Sequence, residues 1–276
     1  MKNILVPTNF SKSSQQAAQL GIKLAQTFKA EIHFLHMIQT PMDWVDLDKT
    51  KEKRYPEVLG RIGEAKTELR ELERTAEKKG LKCRTFIDYN PGQKNILHHS
   101  GHFEHDFIVT GSSGKKGFLG ELMGSYTDQI VRNADVPVIV AKETEANFPW
   151  QNILFVSDFQ EDVSRAFKEV IPLVQKLDAK LNLLRINTET DFNSINDGRA
   201  PIKDFLKGFP ELEQAKTHVY NGPSVTEGVS HFTKHNPVDI IVMSTHGKTG
   251  FLSLFSKSVA EGVVQKFDLP VMTIKV

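Results

Sequence analysis

Cysteine is almost missing from this chain of 276 residues: Cys83 stands alone, so no disulfide can form within the molecule. Its setting, residues 82–87, reads as a strand, which points to an inert thiol rather than a reactive one. Long apolar runs are missing as well. The longest are strand-sized, far short of the ~20 residues that span a bilayer, and residues 1–7 read as a strand rather than a signal peptide. No membrane partner is expected, and the cytoplasm is the expected location. Neither sign of charge dominates, since 35 Lys and Arg against 34 Asp and Glu leave a formal net charge of +1. With no basic block and no aromatic-basic platform, nothing recommends nucleic acid as a partner. Complete metal-ligand sets are lacking too. His98, His99, His102 and His105 cluster, but no carboxylate or cysteine completes a convincing ligand set with them, so they read as a histidine-rich surface helix end and no metal is assigned. Ser112 and Ser113 have no identifiable paired base, so no catalytic residue is assigned either.

What is present is a repeat. Residues 2–10 reappear as 151–159, and 152 minus 3 gives an offset of 149, which residues 31–36 and 180–185 keep. Further along the offset is 133: residues 106–109 pair with 239–242, 114–119 with 247–252, and 135–138 with 268–271. The second copy is therefore 16 residues shorter (149 minus 133), and the loss falls between its second and third strands. Two domains are expected, residues 1–146 and 147–276, joined near 143–149, with Trp44 and Trp150 packing between the halves.

Within the first copy, apolar runs alternate with helical patterns. Strands are expected over residues 3–7, 32–38, 82–88, 106–110 and 136–141. Ser11 suits the cap of a helix running to about Phe28, a charged helix covers 56–79, and another runs over 91–102. Residues 39–55 read as loose, and the charged helix as a solvated face without chemistry. The fold class is α/β: two tandem copies of a five-stranded, helix-covered parallel sheet of nucleotide-binding-like type, with ligands in the crevice beyond the strands' carboxyl ends.

One stretch at such an end stands out. Residues 111–125 link the fourth strand to a helix through Gly111, Gly114 and Gly124, with Ser125 opening the helix. Glycines let the backbone approach a ligand or take positive φ, and a helix start presents unpaired N–H groups to an anion, phosphate above all. The spacing fits neither the P-loop nor the dinucleotide fingerprint.

Gly111, two residues, Gly114, nine residues, Gly124 and Ser125 resemble the ATP-binding pattern of the universal stress protein family, and residues 4–11 resemble its usual opening, with Asn9 where aspartate is usual. The resemblance covers both halves. It implies ATP, with or without Mg²⁺, in the first copy: Pro7, Thr8 and Asn9 near base and sugar, Met37 beside the adenine, and Gly111, Gly114, Lys115, Gly124, Ser125 and Tyr126 around the phosphates. In the second copy Ser157 and Asp158 are in place, but Ser244 replaces the first glycine and Lys257 the last, leaving Ser157, Asp158, Gly247, Lys257 and Ser258 as members of an altered or empty site. It further implies pairing of the two domains through their last strands within one chain, with a homodimer left open. The function implied is an ATP-binding regulatory module of the stress response. A slow ATPase or phosphotransfer enzyme, and a scaffold or binder of another small molecule, stay as alternatives, and the protein partner is not legible.

Overall fold

The computed structural model of the chain describes residues 2–41, 44, 47–89, 95–112, 125–142, 148–159, 163–188, 195–212, 214–245 and 257–275. They form two compact units that part between Val136 and Pro137.

The first unit opens with β1 (Asn3–Thr8), in which Ile4, Leu5 and Val6 are wholly buried, as a strand covered on both faces requires. Helix α1 (Lys12–Phe28) begins where its cap stands: the Ser11 side chain accepts from Ser14 N, and Ala17, Ala18, Leu20, Ile22, Leu24 and Ala25 face the core. Then come β2 (Glu31–Ile38), α2 (Lys49–Glu52), α3 (Pro56–Lys78), β3 (Cys83–Tyr89), α4 (Asn95–His102), β4 (Phe107–Gly111) and α5 (Ser125–Asn133). The four strands lie parallel in the order β3-β2-β1-β4. Two expectations need correction. The stretch 39–55 is not wholly loose, since Asp48 caps α2 by accepting from Thr50 N and Lys51 N; a helix of four residues has no apolar period to announce it. Trp44 packs inside the first unit against Ile38, Val58, Ile62 and Ala65, where it covers the apolar stripe of α3.

The second unit holds β5 (Val138–Ala141), β6 (Asn152–Val156), α6 (Ser164–Leu177), β7 (Lys180–Asn187), α7 (Ile195–Leu206), a 3-10 turn (Pro210–Leu212), β8 (Lys216–Asn221), α8 (Val225–His235), β9 (Ile240–Thr245), α9 (Lys257–Lys266) and β10 (Val271–Lys275). Its strand order is β5-β10-β9-β6-β7-β8. All neighbours run parallel except β5, which lies antiparallel to β10 with Ile139 opposite Met272. Thus the last strands of the two repeats lie side by side within this unit.

The repeat extends to individual hydrogen bonds. Asp106 and Asp239, at the offset of 133, each clamp the amino end of a central strand: Asp106 Oδ2 accepts from Asn3 N, and Asp239 Oδ2 from Asn152 N, both at 2.8 Å. Helices α1 and α6 both end on a left-handed residue, Lys29 (φ 55°) and Asp178 (φ 51°), whose N–H returns to the last carbonyls. Among the described residues no helix is long and apolar enough to cross a membrane.

Candidate functional site

The carboxyl ends of β1 and β6 pass into the same strained bend. Phe10 and Phe159 both take a left-handed backbone (φ 61° and 56°), which a bulky side chain adopts only when its surroundings impose it. The imposing bonds are equivalent: Phe10 N donates to Thr8 Oγ1 at 3.1 Å, and Phe159 N to Ser157 Oγ at 3.2 Å. In the first unit Thr8 Oγ1 also donates to Ser14 Oγ (3.2 Å), and His36 Nδ1 lies 2.8 Å from Thr8 O, so the ring donates from that nitrogen. Asn9 Oδ1 accepts from Ser11 N (3.2 Å) and Ser11 Oγ (2.6 Å). Its oxygen closes the turn, so the exposed side chain offers an amide N–H₂ group outward.

Beside this bend lies a cavity of about 380 Å³, lined by Phe10, His36, Met37, Arg61, Glu64 and Glu68 among others. The Phe10 and His36 rings stack with centroids 4.5 Å apart, and Arg61 Nη2 donates to Gln39 O at 3.0 Å on the rim. Met37 lines this cavity, whereas Pro7, Thr8 and Asn9 do not; they lead into it through Phe10, the next residue of the bend. The charges of α3, read from the sequence as a solvated face, are mostly exposed, and three of them also line this cavity. Arg61, Glu64 and Glu68 fall at i, i+3 and i+7, one helical face, and that spacing was the available signal.

The glycine-rich stretch is described only at its two ends. Gly111 closes β4, and Ser125 and Tyr126 open α5; Gly114, Lys115 and Gly124 lie outside the described residues, as do Ser113, Gly247 and His246. Thr127 Oγ1 donates to Gly111 O at 2.9 Å, which ties the first turn of α5 to the end of β4. Gly111 itself has a steric duty that the sequence did not disclose. A Cβ there would lie 2.2 Å from Ser13 O, so the bare backbone is what lets the start of α1 approach β4; positive φ is not its reason. Next to it Ser112 is buried, and its hydroxyl has no partner among the described residues.

The second unit treats the same positions differently. Ser157 and Asp158 follow β6 and are both buried, whereas Asn9 is exposed. Ser244 fills the place of Gly111, and α6 starts at Ser164, equivalent to position 15 and three residues later than α1. Lys257 and Ser258 occupy the first positions of α9. Phe159 is packed into a ring cluster, 6.0 Å from Phe155 and 5.3 Å from Phe205, which continues through Phe167 and Phe209. Arg185 replaces His36 and is buried to 1% exposure.

The histidines of the first unit also require correction. His98 and His102 are exposed on α4, but His99 and His105 are buried. His105 Nε2 lies 2.8 Å from His33 Nδ1, and His33 Nε2 lies 2.9 Å from Glu31 Oε1, which also receives Arg84 Nε at 2.6 Å. The bond from His33, then the Arg84 and His33 charges, hold the Glu31 carboxyl below its ordinary range against the opposing effect of burial. Burial, reinforced by His33, pushes His105 down to about 4. His99 points inward from α4 and His105 from the link between α4 and β4, each meeting a side chain of the sheet, Phe86 or His33, a contact invisible to a reading of spacing alone. Cys83 fits its expected inertness: burial first, then Glu73, Glu77 and Glu31, push its thiol up to about 12.

Similarity to known proteins follows the repeat. The profile of the universal stress protein family matches residues 1–142 and again 149–275. A universal stress protein of Methanocaldococcus jannaschii is 29% identical over 143 residues, 51% of this chain and 82% of its own length. A second from that organism is 27% identical over 154 residues, 51% of this chain and 94% of its own. Among solved structures, a universal stress protein from Archaeoglobus fulgidus covers 99% of this chain and 98% of its own with a TM-score of 0.78 at 20% identity, a likeness of fold.

Proposed function

Because the chain belongs to the universal stress protein family, in tandem form, we propose that it is an ATP-binding regulatory module whose nucleotide sits in the first repeat, residues 1–146. The observation that carries this reading is the difference between the two strand-end bends. Beside Phe10 there is a cavity of about 380 Å³ with Met37 on its wall, whereas the equivalent Phe159 is buried among other phenylalanines. The adenine takes the cavity against Met37 and the Phe10–His36 stack, and the sugar meets Thr8 and Asn9. The phosphates, with Mg²⁺ as counterion, follow Gly111, Gly114, Lys115, Gly124, Ser125 and Tyr126, where the N-terminus of α5 favours negative charge. Asn9 brings hydrogen bonds without charge to its place in this contact. The second repeat, residues 147–276, carries Ser157 and Asp158 but presents Lys257 in place of the last glycine, and holds no nucleotide.

The reading is tested by denaturing the purified protein and identifying the released small molecules by mass spectrometry. About one ATP or ADP per chain is expected, falling about tenfold or more in Gly124→Lys, which puts a side chain where backbone should meet phosphate. Two nucleotides per chain would overturn the division between repeats. None, together with no ATP binding by the intact protein, would overturn the reading as a whole. Steady ADP production abolished by Gly124→Lys would favour an enzyme.

A further inference from the structure

In the first unit the amino-terminal edge of the sheet is filled. Phe86 lies 4.7 Å from both His99 and Phe103 by ring centroids, His99 lies 4.6 Å from Phe103, and His33 and His105 close the cluster. The last turns of α3 lie over the start of β3, near enough for Glu73 and Glu77 to bear on the Cys83 thiol.

The second unit keeps the frame and removes the filling. Strand register equates His33 with Asn182 and Phe86 with His218, and the offset of 133 equates Phe103 with Asn236 and His105 with Val238. The crossover that lies over this edge is also shorter. Helix α3 has 23 residues and α7 only 12, about 34 Å against about 18 Å at 1.5 Å per residue. From Leu206 the chain returns to β8 by way of the 3-10 turn. The 16 residues lost between the second and third strands thus leave a gap, a cavity of about 800 Å³ across the starts of β6, β7 and β8. That size belongs to small-molecule sites.

Its chemistry is amphoteric over an apolar floor. Val174, Leu181 and Leu212 form the buried floor with Ala215 beside them. Asp178 and Glu211 bring negative charge to the edge at the carboxyl end of α6, where the helix dipole favours a cation. Lys180 and Lys216, the first residues of β7 and β8, bring positive charge. On the wall His218 Nε2 donates to Asn182 Oδ1 at 3.1 Å, which leaves Nδ1 as an acceptor. Burial, then the charges of Lys216 and Arg199, hold that ring below its ordinary pKa and hence neutral. A ligand that satisfies this set carries an ammonium and a carboxylate at the ends of a body with both amide and apolar surface.

We propose that the cavity at the amino-terminal edge of the second unit, floored by Leu181 and Leu212 and rimmed by Asp178, Glu211, Lys180 and Lys216, binds short peptides with free termini. The site lies at the opposite end of the strands from the nucleotide cavity's counterpart and is independent of it. The probe is the tripeptide Gly-Leu-Gly, titrated into the ¹⁵N-labelled full chain. Saturable shifts are expected at the backbone amides of Asn182, Lys216 and His218. Ala215→Trp, which fills the cavity, abolishes them. Lys216→Glu, an exposed change that leaves the fold intact, weakens binding about tenfold, and so does acetylating and amidating the peptide ends. Absence of saturable shifts up to about 10 mM peptide, weaker than any specific small-ligand site in common use, overturns the proposal. So do shifts that persist in Ala215→Trp, or equal binding of the blocked peptide.

Discussion

At the scale of single residues, Gly111 shows how one position can serve two ends. It belongs to the glycine pattern that suggests phosphate, yet its missing side chain also lets Ser13 O approach to where a Cβ would stand only 2.2 Å away. Backbone is on the other side of that contact, so nothing yields cheaply. Gly111→Ala is expected to cost about 3 kcal/mol, in the range of overpacked cores, read as a lower urea midpoint with or without ATP. Ser244→Gly, the reverse change at the equivalent position, removes a buried hydroxyl that lacks a partner among the described residues and stays within about 1 kcal/mol of the native stability. Equal and small effects at both positions would mean that Gly111 serves the ligand alone. The sequence displayed the glycine but not this contact, which joins positions 13 and 111 through the fold rather than through any local period.

Elements were legible where the chain carries a periodic signal and opaque where contacts decide. Ser11 before an apolar helix, and Ile4 to Val6 as a doubly covered strand, announce themselves, and the repeat gives the strand a second example in Ile153 to Phe155, equally buried. The inward turn of α4 does not. His99 and His105 look like part of a polar helix end until the sheet beneath them is known. Their burial has a pH consequence whose sign follows from linkage. The unfolded chain protonates His105 near 6.5, while the folded one resists to about 4, facing His33 and His99, with Asp106 and the Ser100 carbonyl only partly offsetting. Stability from this group is therefore complete above pH 6.5 and lost as pH falls towards 4, by up to about 3 kcal/mol. His99, lowered chiefly by burial, acts in the same direction. Urea unfolding followed by Trp44, in a Trp150→Phe background so that only the first unit reports, is expected to show this decline. His105→Gln flattens His105's share of it. An unchanged slope in that variant would remove His105 from the account.

At the scale of the whole molecule, duplication has let two copies of one frame diverge at opposite ends of their strands. The first unit keeps its strand-end bend beside a cavity and fills its amino edge with rings; the second buries the bend and opens the edge. A ligand that binds one unit and not the other must stabilise them unequally, because binding adds RT ln(1 + [L]/Kd) only to the structure it requires, about 2.7 kcal/mol at a hundredfold excess over Kd. With ATP at that excess, amide hydrogen exchange through opening of the first unit is expected to slow about a hundredfold in β1, β2 and β4. Exchange in β6, β7 and β9 should stay as it was. Such a result would assign nucleotide to the first repeat without reference to the contents of residues 113–124. Protection rising equally in both sets of strands would instead mean that nucleotide occupies both repeats, or that the two units open only together. ATP titration of Gly124→Lys separates these outcomes, since a second nucleotide site would go on protecting β6, β7 and β9, whereas joint opening would lose protection everywhere at once.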